Sequence, residues 1–298
     1  MKRLATLLLV SAIATSCNQT KQISTKMNAA FDYEAHRGGR GLYPENTIPA
    51  FLHALDLKVS TLEMDCVISA DGQVVLSHEP FFSSDISSHP DGSPVKSDEA
   101  KKLNIYKMNY DEIAKFDVGK RVHPKFPEQI KMSAVKPLLT DVIKAVKEKC
   151  ISKNIPLPYF NIETKSKPST DNVYHPAPEK FVDLIMNVIT QHGMEDKIII
   201  QSFDFRTLQY LHKKYPLIKT AMLIEANDSR SLRKQLDDLG FVPTIYSPEK
   251  SLTTPNSITE AHERGMKVIP WTVNDKKQIK NLMKMGVDGI ISDYPNYF

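Results

Sequence analysis

From residue 31 onward the chain alternates two kinds of apolar pattern. Short runs rich in β-branched and aromatic residues read as strands: FDYEAHR, STLEMDCVIS, PYFNIE, KIIIQSF, KTAMLIE, VPTIYS, KVIPWTV and VDGIISD. Between most of them lie longer stretches whose apolar residues recur three and four apart, the spacing that keeps one helix face apolar. These are TIPAFLHALDL, LLTDVIKAVKEKC, PEKFVDLIMNVITQHG, FRTLQYLHKKY, DSRSLRKQLDDLG, SITEAHERG and DKKQIKNLMKMG. Thr47 and Asp204 offer oxygens to the unpaired N–H groups of a helix start. Gly193, Gly240 and Gly265 supply the left-handed residue on which many helices end.

Eight strands alternating with helices predict a (β/α)8 TIM barrel; an open doubly wound sheet is the competing architecture, and the strand count and single-domain length favour the barrel. One segment breaks the rhythm. After the second strand and its short extension QVVLSH, residues 80–131 mix Pro, Ser, Asp and Lys with scattered apolar positions. They far exceed an ordinary βα loop and predict a small inserted subdomain after strand 2. Long βα loops crown the C-terminal ends of barrel strands, the face where sites form.

Composition changes this picture little. The 298 residues are 41% apolar and 25% charged, ordinary for a large single core, and a net charge of +4 gives no basic stripe for nucleic acid. The N-terminus adds more. Met1-Lys2-Arg3 is followed by LATLLLVSAIA, too short to cross a bilayer, and then by ATSC. This resembles a bacterial lipoprotein signal, with residues 1–16 as leader and Cys17 as the lipid-attachment site; an ordinary cleaved leader with a chance Cys is the alternative. Residues 17–30 are polar and aperiodic, a flexible tether before a barrel domain over 31–298. The reading places the protein as exported and membrane-anchored, on the periplasmic or cell-surface side. Cys66 and Cys150 read as buried thiols.

The polar residues then fall on the scaffold in a pattern. His36 and Arg37 end the first strand. Glu63 and Asp65 lie two apart on the second, so they face the same way. Carboxylates aimed together into a barrel repel one another and lose hydration. Either a divalent cation lies between them, held by oxygens, or Arg37 and Lys165 pair with them. A third carboxylate, Glu163, at the end of the third strand tilts the balance toward metal. His78 follows QVVLS at the same rim. Two imidazoles can divide base and acid near neutral pH, the division that phosphodiester cleavage requires. The other histidines, at 53, 89, 123, 175, 192, 212 and 262, read as surface or packing groups.

HRGGRGLYPENTIPAF, LEMDCVISADGQVVLSHEP, FNIETK, QSFD, WTVN and GVDGIISDYP follow in that order from Glu34 to the C-terminus. Together they resemble the motif series of the glycerophosphodiester phosphodiesterase family. The resemblance implies a barrel with a small insertion after strand 2, and metal-dependent hydrolysis of glycerophosphodiesters to glycerol 3-phosphate and an alcohol. It implies His36 and His78 as the acid–base pair; the sequence leaves open which is base and which acid, and our own expectation is His36 as base and His78 as acid. Glu63, Asp65 and Glu163 would hold Ca2+ or Mg2+. Arg37 would touch phosphate, Lys165 would assist it, and Glu45 would support the site through His36 or the metal. Trp271, the only Trp, would wall the glycerol or alcohol pocket, and Gln201 would donate to substrate. Arg40 is expected to face solvent. A lysophospholipase D-like or phosphoinositol-type phospholipase, and a non-catalytic phosphodiester-binding lipoprotein, are the alternatives. Phe81 and Phe82, just past His78, point to some apolar contact with the leaving group.

Overall fold

The computed structural model describes residues 31–298; the leader, Cys17 and the tether lie outside the described residues. Nine strands form, β1 Asp32–Ala35, β2 Thr61–Ile68, β3 Val74–Leu76, β4 Tyr159–Thr164, β5 Ile198–Ser202, β6 Lys219–Ile224, β7 Ile245–Pro248, β8 Lys267–Val268 and β9 Gly289–Ser292. Eight of them run parallel in the order β8-β7-β6-β5-β4-β2-β1-β9, and β3 pairs antiparallel with β2. The ends of that order meet. Asp288 N–H donates to Val268 C=O at 2.9 Å, Ile291 N–H to Pro270 C=O at 3.1 Å, and Val273 N–H to Ile291 C=O at 3.0 Å. The parallel strands thus close into a (β/α)8 barrel. β8 is the shortest because Pro270 has no N–H to give the ladder.

The outer layer is made by α1 Ile48–Asp56, α3 Leu139–Lys153, α4 Pro178–Gln191, α5 Phe205–Lys214, α6 Leu232–Leu239, α7 Pro255–Glu263 and α8 Lys276–Met285; a single turn, α2 Tyr110–Ile113, lies in the long segment before α3. Thr47 and Asp204 cap α1 and α5, accepting from the N–H groups of Ala50 and Arg206. Among the described residues no helix is long and apolar enough to cross a membrane. Cys66 and Cys150 are buried free thiols.

All eight residues of β2 are buried, so the strand has no solvent face. Leu62, Met64 and Cys66 turn outward into the layer between barrel and helices, with Phe51, Phe160 and Phe181. Each such side chain contributes about 1.5–3 kcal/mol on leaving water. The alternate residues, Glu63 and Asp65, point inward. Inside the barrel the apolar floor is Ile199, Ala221, Ile245, Ile269 and Ile291, with Trp271 packed against it. The polar groups of the mouth lie above it, while Glu34 and Asn161, joined by a hydrogen bond of 2.8 Å, are buried in register with Ile291 and Ile199 of the floor.

Residues 80–131 leave the barrel between β3 and α3 in short turns rather than long helices. They carry an apolar cluster of Phe82, Ile86, Val95, Ile105, Ile113 and Phe116, continuous with Val67 of β2 and Val75 of β3. Phe31–Phe298 is one compact unit. The expected subdomain is therefore an excursion packed on β2 and β3 rather than a body that stands apart. Phe82 belongs to that cluster, fully buried and stacked on Phe116 at 4.1 Å, so it is not available to a leaving group. Phe81 alone of the pair lines the cavity at the barrel mouth.

Candidate active site

The strand ends gather the polar residues into a cavity of about 670 Å³ at the barrel mouth, lined by His36, Arg37, Glu63, His78, Glu163, Lys165, Gln201 and Trp271 among others. The size suits a small organic ligand. Register explains the grouping. In the parallel ladders Asp65 lies beside Glu163, and Glu163 beside Gln201, so inward side chains of neighbouring strands share one layer.

The chain turns sharply after β1. Arg37 takes φ +51°, a left-handed conformation that costs a non-glycine residue free energy. The turn aims its backbone N–H at Glu63 Oε2, 2.7 Å away, while its guanidinium reaches Glu45 Oε1 at 3.0 Å and Asp65 Oδ2 at 3.3 Å. Gly38 follows at φ +80°, where an added Cβ would stand 2.9 Å from that of Ala50. Only glycine fits both the angle and the gap.

Glu63, Asp65 and Glu163 each place an oxygen within 4.8 Å of the other two. Glu63 accepts from Gln201 Nε2 at 2.8 Å and from the Arg37 backbone, with no cationic side chain bonded to it. Burial and the neighbouring Asp65 charge push its carboxyl well above the usual range. Burial, against Lys165, pushes Glu163 up to about 7. Asp65 goes the other way: burial opposes it, but Arg37 and Lys165 pull its carboxyl well below the usual range. Lys165 Nζ lies 2.8 Å from Glu163 and 3.6 Å from Asp65. Pairing with Arg37 and Lys165, the alternative to a metal, is therefore present, but it does not complete the site. Asp65 Oδ1 has no hydrogen-bond partner although it is buried. Glu63 and Glu163 hold their protons beyond the ordinary range because burial and the neighbouring carboxylates outweigh the positive charge beside them. Three converging buried oxygens in that setting fit a hard divalent cation.

His36 meets a residue that sequence reasoning did not single out. Its Nδ1 lies 2.5 Å from Asp293 Oδ1, at the end of β9 in ISDYP. Asp293 also accepts from Arg40 Nε at 2.7 Å and from Asn274 Nδ2 at 2.6 Å. Burial opposes ionisation there, but His36 and Arg40 hold its carboxyl well below the usual range. Burial pushes His36 itself down to about 4, against the upward pull of Asp293. At neutral pH it is thus an uncharged imidazole whose Nδ1–H is taken by Asp293, leaving a lone pair on Nε2. His78, on the segment after β3, has Nδ1 2.9 Å from Glu79 Oε1. Burial and Lys165 lower its pKa. Behind it, the buried Lys136 donates to Ser77 Oγ at 2.6 Å and tethers this segment.

Several expectations change. Arg40 does not face solvent: besides Asp293 it lies over the Phe126 ring, 5.1 Å from the centroid. Glu45 reaches the site through Arg37, since Asp293 occupies the position beside His36 that Glu45 was expected to serve; Arg37 and Arg40 overcome burial and draw its carboxyl down to about 2. Gln201 lines the cavity, but its amide is engaged, with Nε2 on Glu63 and Oε1 accepting from Asn161 Nδ2 at 3.1 Å. Trp271 lines the cavity, its indole N–H fixed on Ser247 C=O at 2.9 Å and its ring edge-on to Phe203. Of the remaining histidines, His53 and His212 stack on Tyr43 and Phe241, while His123 comes within 3.9 Å of Glu45 and His175 borders the cavity.

A closed barrel with an acidic triad, two imidazoles and a guanidinium facing one mouth cavity has the equipment of a hydrolase acting on an anionic substrate. The chain belongs to the glycerophosphoryl diester phosphodiesterase family, whose model matches residues 36–297, and with it to the phosphoric diester hydrolases. It is 28% identical over 265 residues to the glycerophosphodiester phosphodiesterase of Bacillus altitudinis, covering 88% of this chain and 94% of that protein. It is 24% identical to lysophospholipase D GDPD1 of Rattus norvegicus, covering 88% and 82%. A crystal structure from Silicibacter pomeroyi, of a protein assigned to the same class, superposes with a TM-score of 0.80 at 27% identity, covering 90% and 92%. The Oleispira antarctica phosphodiesterase, solved in complex with the product sn-glycerol-3-phosphate, shares the fold with a TM-score of 0.69 at 22% identity, covering 89% and 94%.

Proposed function

We propose that the chain hydrolyses glycerophosphodiesters to glycerol 3-phosphate and an alcohol by metal-dependent His36/His78 acid–base catalysis. The observation that carries the reading is the convergence of both imidazoles and the acid triad on one cavity. Glu63, Asp65 and Glu163 would hold the cation, Ca2+ or Mg2+, whose charge would offset that of the non-bridging phosphate oxygens. Gln201 and the Arg37 backbone orient Glu63 for that role. The Arg37 guanidinium and Lys165 lie beside the triad and supply fixed positive charge to the phosphate. His36 Nε2 takes the proton of the attacking oxygen, and Asp293 stabilises the imidazolium that results. The new P–O bond forms as the bond to the alcohol oxygen breaks. His78 gives that oxygen its proton. Burial, Lys165 and Arg37 depress His78 in the free site; bound phosphate adds negative charge beside it and raises its proton affinity before that step.

The test is chelation. Glycerol 3-phosphate release should stop when divalent metal is removed and return when Ca2+ or Mg2+ is restored; unchanged turnover in chelator would remove the metal from the scheme. The relation to lysophospholipase D supports a second reading, in which the substrate is a lysophospholipid, acylated on its glycerol, and the alcohol released is its head group. A cleft of about 390 Å³ shares Phe203, Leu223 and Glu225 with the cavity and continues past Phe205, giving room for a longer substrate. Comparing glycerophosphocholine with lysophosphatidylcholine decides between them. A binding-only role has least support, because no member of the acid–base and triad set is missing. The N-terminal sequence supports export and lipidation at Cys17.

A further inference from the structure

Two loops meet over the His78 side of the cavity. The excursion after β3 brings Phe81 and Lys101, and the segment after β4 brings Lys167, Thr170 and Tyr174. They are knitted together. Phe81 bridges to Asn104, Asn104 Nδ2 donates to Val173 C=O at 2.9 Å, and the rings of Phe81 and Tyr174 lie 6.1 Å apart. Both lysines border the cavity from this joint rim. Their backbones are held: the Lys167 N–H donates to His175 Nε2 at 3.1 Å, and Lys101 lies in the turn Ala100–Lys102, which Leu103 N–H closes onto Ala100.

The other charges on this side are already engaged. Glu79 is bonded to His78, and Lys165 to Glu163. Among the described residues Lys101 and Lys167 have no carboxylate within ion-pair distance, and both are exposed. At the opposite side, Glu225 borders the cavity with Phe203, Leu223 and Trp271 and is equally unpaired. The cavity is therefore polarised, positive past His78 and negative past Trp271.

We propose that Lys101 and Lys167 form a leaving-group subsite selecting glycerophosphodiesters whose alcohol carries its own phosphate or carboxylate. The inference rests on the phosphodiesterase reading above, in which His78 protonates the departing alcohol and so fixes its side of the cavity. An anionic alcohol meets two unpaired ammonium groups there. Phe81 and Tyr174 give its carbon skeleton an apolar wall. A cationic alcohol such as choline would be repelled by the same lysines.

Glycerophosphoinositol and glycerophosphoinositol 4-phosphate differ by one phosphate on the leaving alcohol, and their kcat/KM ratio reads the subsite directly. The unaltered protein should favour the phosphorylated substrate. Lys101→Ala and Lys167→Ala should each reduce that preference about threefold to fivefold, and the double variant on the order of tenfold, the scale of solvent-exposed charge pairs. The preference should shrink as salt is raised from 50 to 500 mM, as screening requires. A preference absent in the unaltered protein, or equal in the double variant, overturns the subsite. Failure of the unaltered protein to release glycerol 3-phosphate from either substrate would instead overturn the phosphodiesterase reading on which it stands.

Discussion

Replacing Asp293 by Asn removes one charge and almost no volume, yet three side chains depend on that carboxylate. Oδ1 accepts from His36 Nδ1 at 2.5 Å and Arg40 Nε at 2.7 Å, and Oδ2 accepts from Asn274 Nδ2 at 2.6 Å. An amide cannot accept on both sides. With its NH2 toward His36 it forces the proton onto Nε2 and abolishes the base. With its NH2 toward Asn274 it sets donor against donor, because Asn274 Oδ1 already accepts the residue's own backbone N–H at 2.9 Å. A hydrogen bond to a charged group is worth about 1.5–3 kcal/mol, which alone is about ten- to a hundredfold in rate. A wrong tautomer costs more, up to about 10⁴-fold for the corresponding change in a Ser-His-Asp triad. Asp293→Asn should therefore lower kcat by about 10²- to 10⁴-fold while KM moves only a few-fold. The pH profile gives a second readout. His36, near 4 with Asp293 in place, loses the group that raises it, so the acid limb should move to lower pH in the variant. The assay is release of glycerol 3-phosphate from glycerophosphocholine from about two pH units below the His36 limb up to neutral pH. A variant within threefold of the unaltered kcat, or an acid limb moving upward, would refute the reasoning.

Two further outcomes are expected. Glu45 is held at about 2 in the folded protein against 4.5 for a free glutamate, so its ionisation stabilises the fold above about 4.5, and that contribution is lost as pH falls toward 2. Glu45→Gln should be less stable at neutral pH and should lose less stability on acidification; parallel denaturation curves at pH 7 and pH 3 would contradict this. Cys17→Ala should release the protein from membranes to the soluble fraction, and continued retention would argue against the lipid anchor.

Local pattern carried most of the fold, because a barrel is built from short repeating units and each strand shows its two faces in sequence. Glu63 and Asp65 were legible as a pair from spacing alone, and Glu163 and Gln201 joined them through parallel register. Long-range pairing was harder to read. Asp293 meets His36 across 257 positions, a contact made only when β9 closes against β1. Arg40 looked like a solvent residue for the same reason, since its partner is that carboxylate. Glu45 sits in the loop that leads into the first helix, but which neighbour it serves depends on the left-handed turn at Arg37. In the excursion, Phe81 and Phe82 are adjacent yet face opposite ways, one into the cavity and one into the cluster around Phe116. The sparse apolar positions of residues 80–131 gave no period from which to assign them.

If the two imidazoles divide the proton transfers, the loss on removing each one depends on the leaving group. Turnover of glycerophosphocholine and of a glycerophosphodiester carrying a 4-nitrophenyl leaving group should be measured in His36→Ala and His78→Ala. A nitrophenolate departs without needing a proton, whereas an alkoxide does not. His78→Ala should lose about 10²- to 10⁴-fold on the choline ester and far less on the nitrophenyl ester, while His36→Ala should lose equally on both. Equal losses on the two esters in His78→Ala, or activity retained in His36→Ala, would contradict that division of the proton transfers.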